Sequence, residues 1–94
     1  MMEGLAEECG EVVFADVEIK NNKITKLLLK GENLSLITKK VIDKMKNFQG
    51  KNVEDITKEK DEILKEIGFG DVSAGKKPFA LLPIKAIQRA LEKK

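Results

Sequence analysis

The chain has 94 residues, 41% apolar and 36% charged, with 18 basic side chains against 16 acidic ones. That length suits one small domain, here residues 1–94, and that apolar content excludes a disordered chain. The near balance of charge excludes the strong field of a nucleic-acid or anionic-membrane binder, and no apolar run reaches membrane-spanning length.

The first residues, Met1-Met2-Glu3-Gly4-Leu5-Ala6-Glu7-Glu8, are acidic where a signal peptide is basic. With a single cysteine and therefore no internal disulfide, this points to a soluble cytoplasmic protein. The same residues are long enough to supply a short strand. Val13, Ala15, Val17 and Ile19 then alternate with Phe14, Asp16, Glu18 and Lys20, the period of a half-buried strand. Asn21-Asn22 tolerates positive φ and predicts a hairpin turn. A second strand runs from Ile24 to Lys30, and its Leu27-Leu28-Leu29 run predicts that both faces are covered.

Gly31-Glu32-Asn33 breaks the pattern, with Asn33 as the expected helix cap. From Leu34 the apolar spacing becomes helical, placing Leu34, Ile37, Val41, Met45 and Phe48 on one face. Gly50 is the expected left-handed stop. Asn52-Val53-Glu54-Asp55 predicts a short helix, and Asp61 to Ile67 another, ended by Gly68. Phe69 to Lys77 carries three glycines and reads as a loop. The last helix starts near Pro78-Phe79 and buries Ile84, Ile87 and Leu91. Pro83 fits it only in a first turn or at a kink.

Few residues suggest chemistry. Cys9 has no neighbouring cation or histidine to activate it, and Glu7, Glu8 and Glu11 surround it with negative charge. Glu8 and Glu11 have the chemistry of hard-cation ligands, but at a strand end they read as surface glutamates. Lys39, Lys40, Lys44 and Lys46 spread around the long helix beside Asp43 and read as a solvated face. Without histidine, an activated nucleophile or an acid/base pair, the sequence offers no enzyme site.

The order of motifs resembles the U-type iron–sulfur cluster scaffolds, the NifU N-terminal domain and IscU family. Cys9-Gly10-Glu11-Val12 opens an alternating strand, as in that family. Gly50-Lys51-Asn52-Val53-Glu54-Asp55 follows the long helix. Lys60 to Ile67 matches the next helix, and Ala86-Ile87-Gln88-Arg89-Ala90-Leu91 matches the last. The resemblance covers roughly residues 4 to 94. It implies an α+β fold, a small antiparallel sheet packed against a long helix, short helices and a C-terminal helix.

It also implies a ligand set that this chain has mostly lost. The family's Cys-Gly-Asp stands here as Cys9-Gly10-Glu11, which leaves Cys9 and Glu11 as the metal or sulfur-acceptor candidates. Its second cysteine falls on Leu34, or with a small gap on Glu32 or Asn33. Its His-Cys pair falls on Pro78-Phe79. The expectation is that no cofactor is held, with Phe79 plugging the former pocket against Leu34. A symmetric homodimer pairing two Cys9 thiolates and two Glu11 carboxylates is the one route to a mixed metal site. The resemblance implies a cysteine desulfurase or a true cluster scaffold as partner. The alternative is a module that kept the fold, left that pathway, and binds another protein or an apolar ligand near Phe79.

Overall fold

The structure is a computed structural model and describes residues 2–92. Strands β1 (Met2–Glu8), β2 (Glu11–Lys20) and β3 (Lys23–Glu32) form an antiparallel meander in the order β1-β2-β3. Helices α1 (Leu36–Met45), α2 (Lys60–Glu66), α3 (Lys77–Ala80) and α4 (Leu82–Glu92) complete the α+β fold. Single 3-10 turns lie at Lys46–Phe48 and Val53–Asp55. No helix among the described residues is long and apolar enough to cross a membrane.

The alternating pattern of β2 places Val13, Ala15 and Val17 in the core with Ile24 and Leu27 of β3. The first residues do supply the third strand, pairing Leu5 with Phe14 and Ala6 with Val13. Asn21 and Asn22 take φ of 53° and 63°, the paired left-handed geometry of a two-residue hairpin. The leucine run behaves differently from expectation. Leu27 is buried, but Leu28 points the other way and is 41% exposed. The outer face of the sheet is therefore open, because among the described residues no element packs against its exposed positions.

Helix α4 lies across β1 and β2, and Gly4 is what lets it come so close. A β-carbon at Gly4 would sit 2.1 Å from the Ala86 carbonyl oxygen and 2.4 Å from the Ala90 nitrogen. Ala15, which pairs with Gly4 in register, and Ala6 are buried small residues on the same inner face. Val41 and Met45 from α1, Ile63 and Leu64 from α2, and Ile84 and Ile87 from α4 fill the rest of the core.

The C-terminal helix begins where expected but is two helices. Pro83 occupies the first turn of α4, where its missing N–H costs no helical bond, and Leu81 separates α3 from α4. Both sheet edges have partners. At β3, the Ile24 N–H donates to the Lys51 carbonyl at 2.8 Å, and the Leu27 N–H donates to Gln49 Oε1 at 3.1 Å. At β1, Arg89 Nη1 donates to the Leu5 carbonyl at 2.8 Å. On the surface, the hydrogen bond and charge of Glu66 raise the pKa of Lys58 above its ordinary value.

Candidate functional site

The residues singled out by sequence gather at one end of the molecule, and the backbone explains why. Cys9 and Gly10 form the β1–β2 turn with φ of 48° and 86°. A two-residue hairpin requires this left-handed pair, which suits Gly10 and strains Cys9. Cys9 is exposed at the tip, its Sγ 3.9 Å from Glu8 Oε2. Left-handed backbone costs an ordinary residue about 1–2 kcal/mol, and asparagine much less. Cys9→Asn is therefore expected to leave stability unchanged or raise it by up to about 1 kcal/mol, read from urea unfolding. A loss above that size would show that the thiol makes a structural contact.

Glu11 begins β2 in the same inward parity as Val13, and it is only 7% exposed. The expectation of a surface glutamate is thus corrected. Its Oε1 accepts the Ser35 N–H at 2.9 Å, the Ser35 hydroxyl at 3.1 Å and the Thr38 hydroxyl at 2.6 Å. A buried carboxylate needs this degree of satisfaction, since each missing partner would leave charge desolvated and unpaired.

These bonds are a helix cap delivered from a strand. Ser35 is the N-cap of α1, its own side chain makes no capping bond, and the first turn of α1 has no acidic residue. In the usual capping box an acid three residues into the helix reaches back to the N-cap N–H. Here that third position is Thr38, and Glu11 supplies the carboxylate from outside. Its charge also opposes the positive end of the helix dipole.

Asn33 is displaced from its expected capping role, and α1 starts at Leu36 rather than Leu34. Asn33 instead takes φ of 56° in the link from β3 to α1. Its Nδ2 reaches the Gly10 carbonyl at 3.4 Å, tying that link to the Cys9 turn. Leu34 is half-buried and closes over Gly31, where a β-carbon would lie 2.6 Å from its Cδ1.

Thr38 Oγ1 also stands 3.4 Å from the Phe79 carbonyl oxygen. That carbonyl lies four residues before Pro83, which has no N–H to offer it. Pro78 and Phe79 are half-buried, and the Phe79 side chain packs against the core. Surface depressions of ≈ 250 Å³ beside Thr57 and Gln88 and ≈ 430 Å³ over Leu5 and Phe14 lie away from Phe79. The chain matches no protein-family model and no curated protein.

The structure thus joins Glu11 and the start of α1 through one hydrogen-bonded cluster, with the α3 backbone beside it at the Phe79 carbonyl. Cys9 is a neighbour of that cluster with its thiol turned to solvent. Among the described residues, no three His, Cys, Asp or Glu side chains are grouped to hold a metal ion. Leu36, at the first position of α1, is 68% exposed and adds an apolar group to this end. Sequence reasoning missed Ser35 and Thr38. The available signal was the parity of β2, which runs from Val13 back to an inward Glu11.

Proposed function

We propose that the protein is a divergent iron–sulfur scaffold-like protein, serving cluster assembly as an adaptor or regulator without holding a cluster itself. The supporting observation is the convergence at Glu11. Glu11, next to the β1–β2 turn, holds the start of α1, whose Thr38 stands beside the Phe79 carbonyl, and the resemblance puts the family's cluster ligands at those three places.

The donor set at this end does not suit a cluster. A cluster takes four protein ligands, thiolates foremost. One chain offers the Cys9 thiol and a Glu11 oxygen that already accepts three hydrogen bonds. Leu34, Pro78 and Phe79 bring no donor side chain. Apolar groups in place of ligands supply buried area where a metal would otherwise supply stability. What remains at this end is a contact surface carrying Leu36 and Cys9, suited to a cysteine desulfurase or a cluster scaffold.

The test has two arms. The protein is incubated anaerobically with iron, sulfide and a cysteine desulfurase, and its visible spectrum and iron content are recorded. No stable cluster absorbance is expected. A stable cluster lost in Cys9→Ser would falsify the claim that the chain holds none. In the second arm, desulfurase and scaffold from the same organism are tested for binding by calorimetry. Binding weakened about tenfold in Leu36→Glu is expected, from loss of about 1.4 kcal/mol at the contact. Binding of neither partner favours a module that has left the pathway.

A further inference from the structure

Helix α4 carries a charged stripe outside its buried face. Lys85, Gln88, Arg89 and Glu92 follow at the spacing of one helix side, and Lys60, the first residue of α2, stands beside them. Together they line a depression of ≈ 300 Å³. Lys60, Lys85 and Arg89 face only one carboxylate there, that of Glu92. Among the described residues, none of these cations takes part in an ion pair. Like charges four residues apart on a helix repel, so Lys85 and Arg89 are set for a counter-anion that the chain does not supply.

The acids close in sequence or space are engaged elsewhere or lie outside the depression. Glu59 accepts the Asp61 N–H as the cap of α2, and Asp61 pairs with Lys77 at 3.0 Å. Glu66 pairs with Lys58 at 2.9 Å. Glu62 is exposed and does not line the depression. Glu3 and Glu7, on either side of Leu5, stand on the open face of the sheet, opposite the face that α4 covers. The cations themselves are anchored. Arg89 Nη1 donates to the Leu5 carbonyl at 2.8 Å, which leaves Nε and Nη2 as a fork for two oxygens. Gln88 Nε2 donates to the Ile56 carbonyl at 3.1 Å and the Lys58 carbonyl at 2.8 Å, fastening to α4 the segment that leads into Lys60. Lys60 and Lys85 are half-buried, their stems packed and their ammonium groups at the rim.

We propose that this depression binds a phosphate dianion, either the free ion or the end group of a phosphate monoester. A phosphate monoester carries about −1.5 to −2 charge at pH 7, which matches the surplus of cations over Glu92. A carboxylate brings about half that charge and leaves one cation unanswered. The guanidinium fork of Arg89 fits two phosphate oxygens, and the two lysines act as point charges on the others. The depression lies at the small end of ligand pockets, roughly 300–1,000 Å³, so it takes the phosphate and encloses little beyond it. It shares no residue with the Glu11 cluster and does not depend on the role proposed for that end.

Titration of the protein with inorganic phosphate, and separately with glycerol phosphate, at low and matched ionic strength tests this by backbone-amide NMR. Saturable shifts at Lys60, Lys85, Gln88 and Arg89 are expected, with Kd on the order of 1 mM. Tighter binding of the ester identifies the monoester as the source, and tighter binding of inorganic phosphate identifies the free ion. Acetate is expected to bind at least about tenfold more weakly. Lys60→Gln with Lys85→Gln, with circular dichroism unchanged, is expected to weaken phosphate about tenfold or more. Arg89→Lys keeps the charge and loses the fork, for an expected loss of about threefold. Glu92→Gln removes the opposing carboxylate and is expected to tighten binding about threefold, a gain that damage to the fold would not produce. No saturable shift at these residues, acetate binding as well as phosphate, or an affinity indifferent to the lysine pair or to Glu92→Gln would each overturn the proposal.

Discussion

Replacing Gly4 by alanine is expected to destabilise the protein by about 3 kcal/mol or more, a large share of the roughly 5–15 kcal/mol that holds a domain together. The added methyl would meet backbone at 2.1 Å and 2.4 Å, the Ala86 oxygen and the Ala90 nitrogen. Helix backbone cannot rotate out of the way as the end of a flexible side chain can. Either α4 lifts off β1 or the strand bows outward, and both separate the inner face of the sheet from the helix. Gly75→Ala is the control, because nothing lies within 4 Å of a β-carbon built there and its φ is not in the left-handed region. For a chain of this size the Gly4→Ala loss is a fall in Tm of about 12 °C or more. Urea unfolding of both variants decides the matter. A Gly4→Ala stability within about 0.5 kcal/mol of wild type would mean that α4 does not rest on β1 as described.

Glu11→Ala is expected to cost about 2–3 kcal/mol. It strips one acceptor from three donors, the Ser35 N–H and the hydroxyls of Ser35 and Thr38. Glu11→Gln keeps an acceptor oxygen and loses the charge facing the helix end, so a smaller loss of about 1 kcal/mol is expected. Glu11→Asp keeps the charge but is one methylene short of both hydroxyls and should fall between the two. This ranking, Gln mildest and Ala worst, is what a capping role produces. If Glu11→Ala were neutral in unfolding yet changed iron uptake in the reconstitution, Glu11 would be a ligand and not a cap.

Much of this architecture was legible in the residues because its causes are local. The alternation from Val13 to Ile19, the Asn21-Asn22 turn and the stop at Gly68 each follow from a few neighbours. So does the placing of Pro83, which has few positions open to it in any helix. The misjudged features depend on contacts distant in sequence. Asn33 looked like the cap because it is a good cap residue just before an apolar helix, and nothing nearby hints that Glu11 will do that work. Leu28 looked buried because it stands between two leucines, and only the one-sided placement of the helices decides otherwise. The candidate site was partly legible for the same reason. Cys9 at a turn could be read from Cys9-Gly10, whereas its union with Ser35, Thr38 and Phe79 needed the folded chain.

The guarded sheet edges constrain how the protein can aggregate. An added strand at β1 would need the Leu5 carbonyl that Arg89 holds, and one at β3 would need the N–H groups already given to Lys51 and Gln49. Lateral growth of a sheet is open-ended, since each new strand exposes a fresh edge, and that is the geometry of fibres. Arg89 and Gln49 therefore oppose open-ended lateral association of the sheet. Arg89→Ala with Gln49→Ala frees the Leu5 carbonyl and the Leu27 N–H for such pairing, while the backbone bond between Ile24 and Lys51 still covers the start of β3.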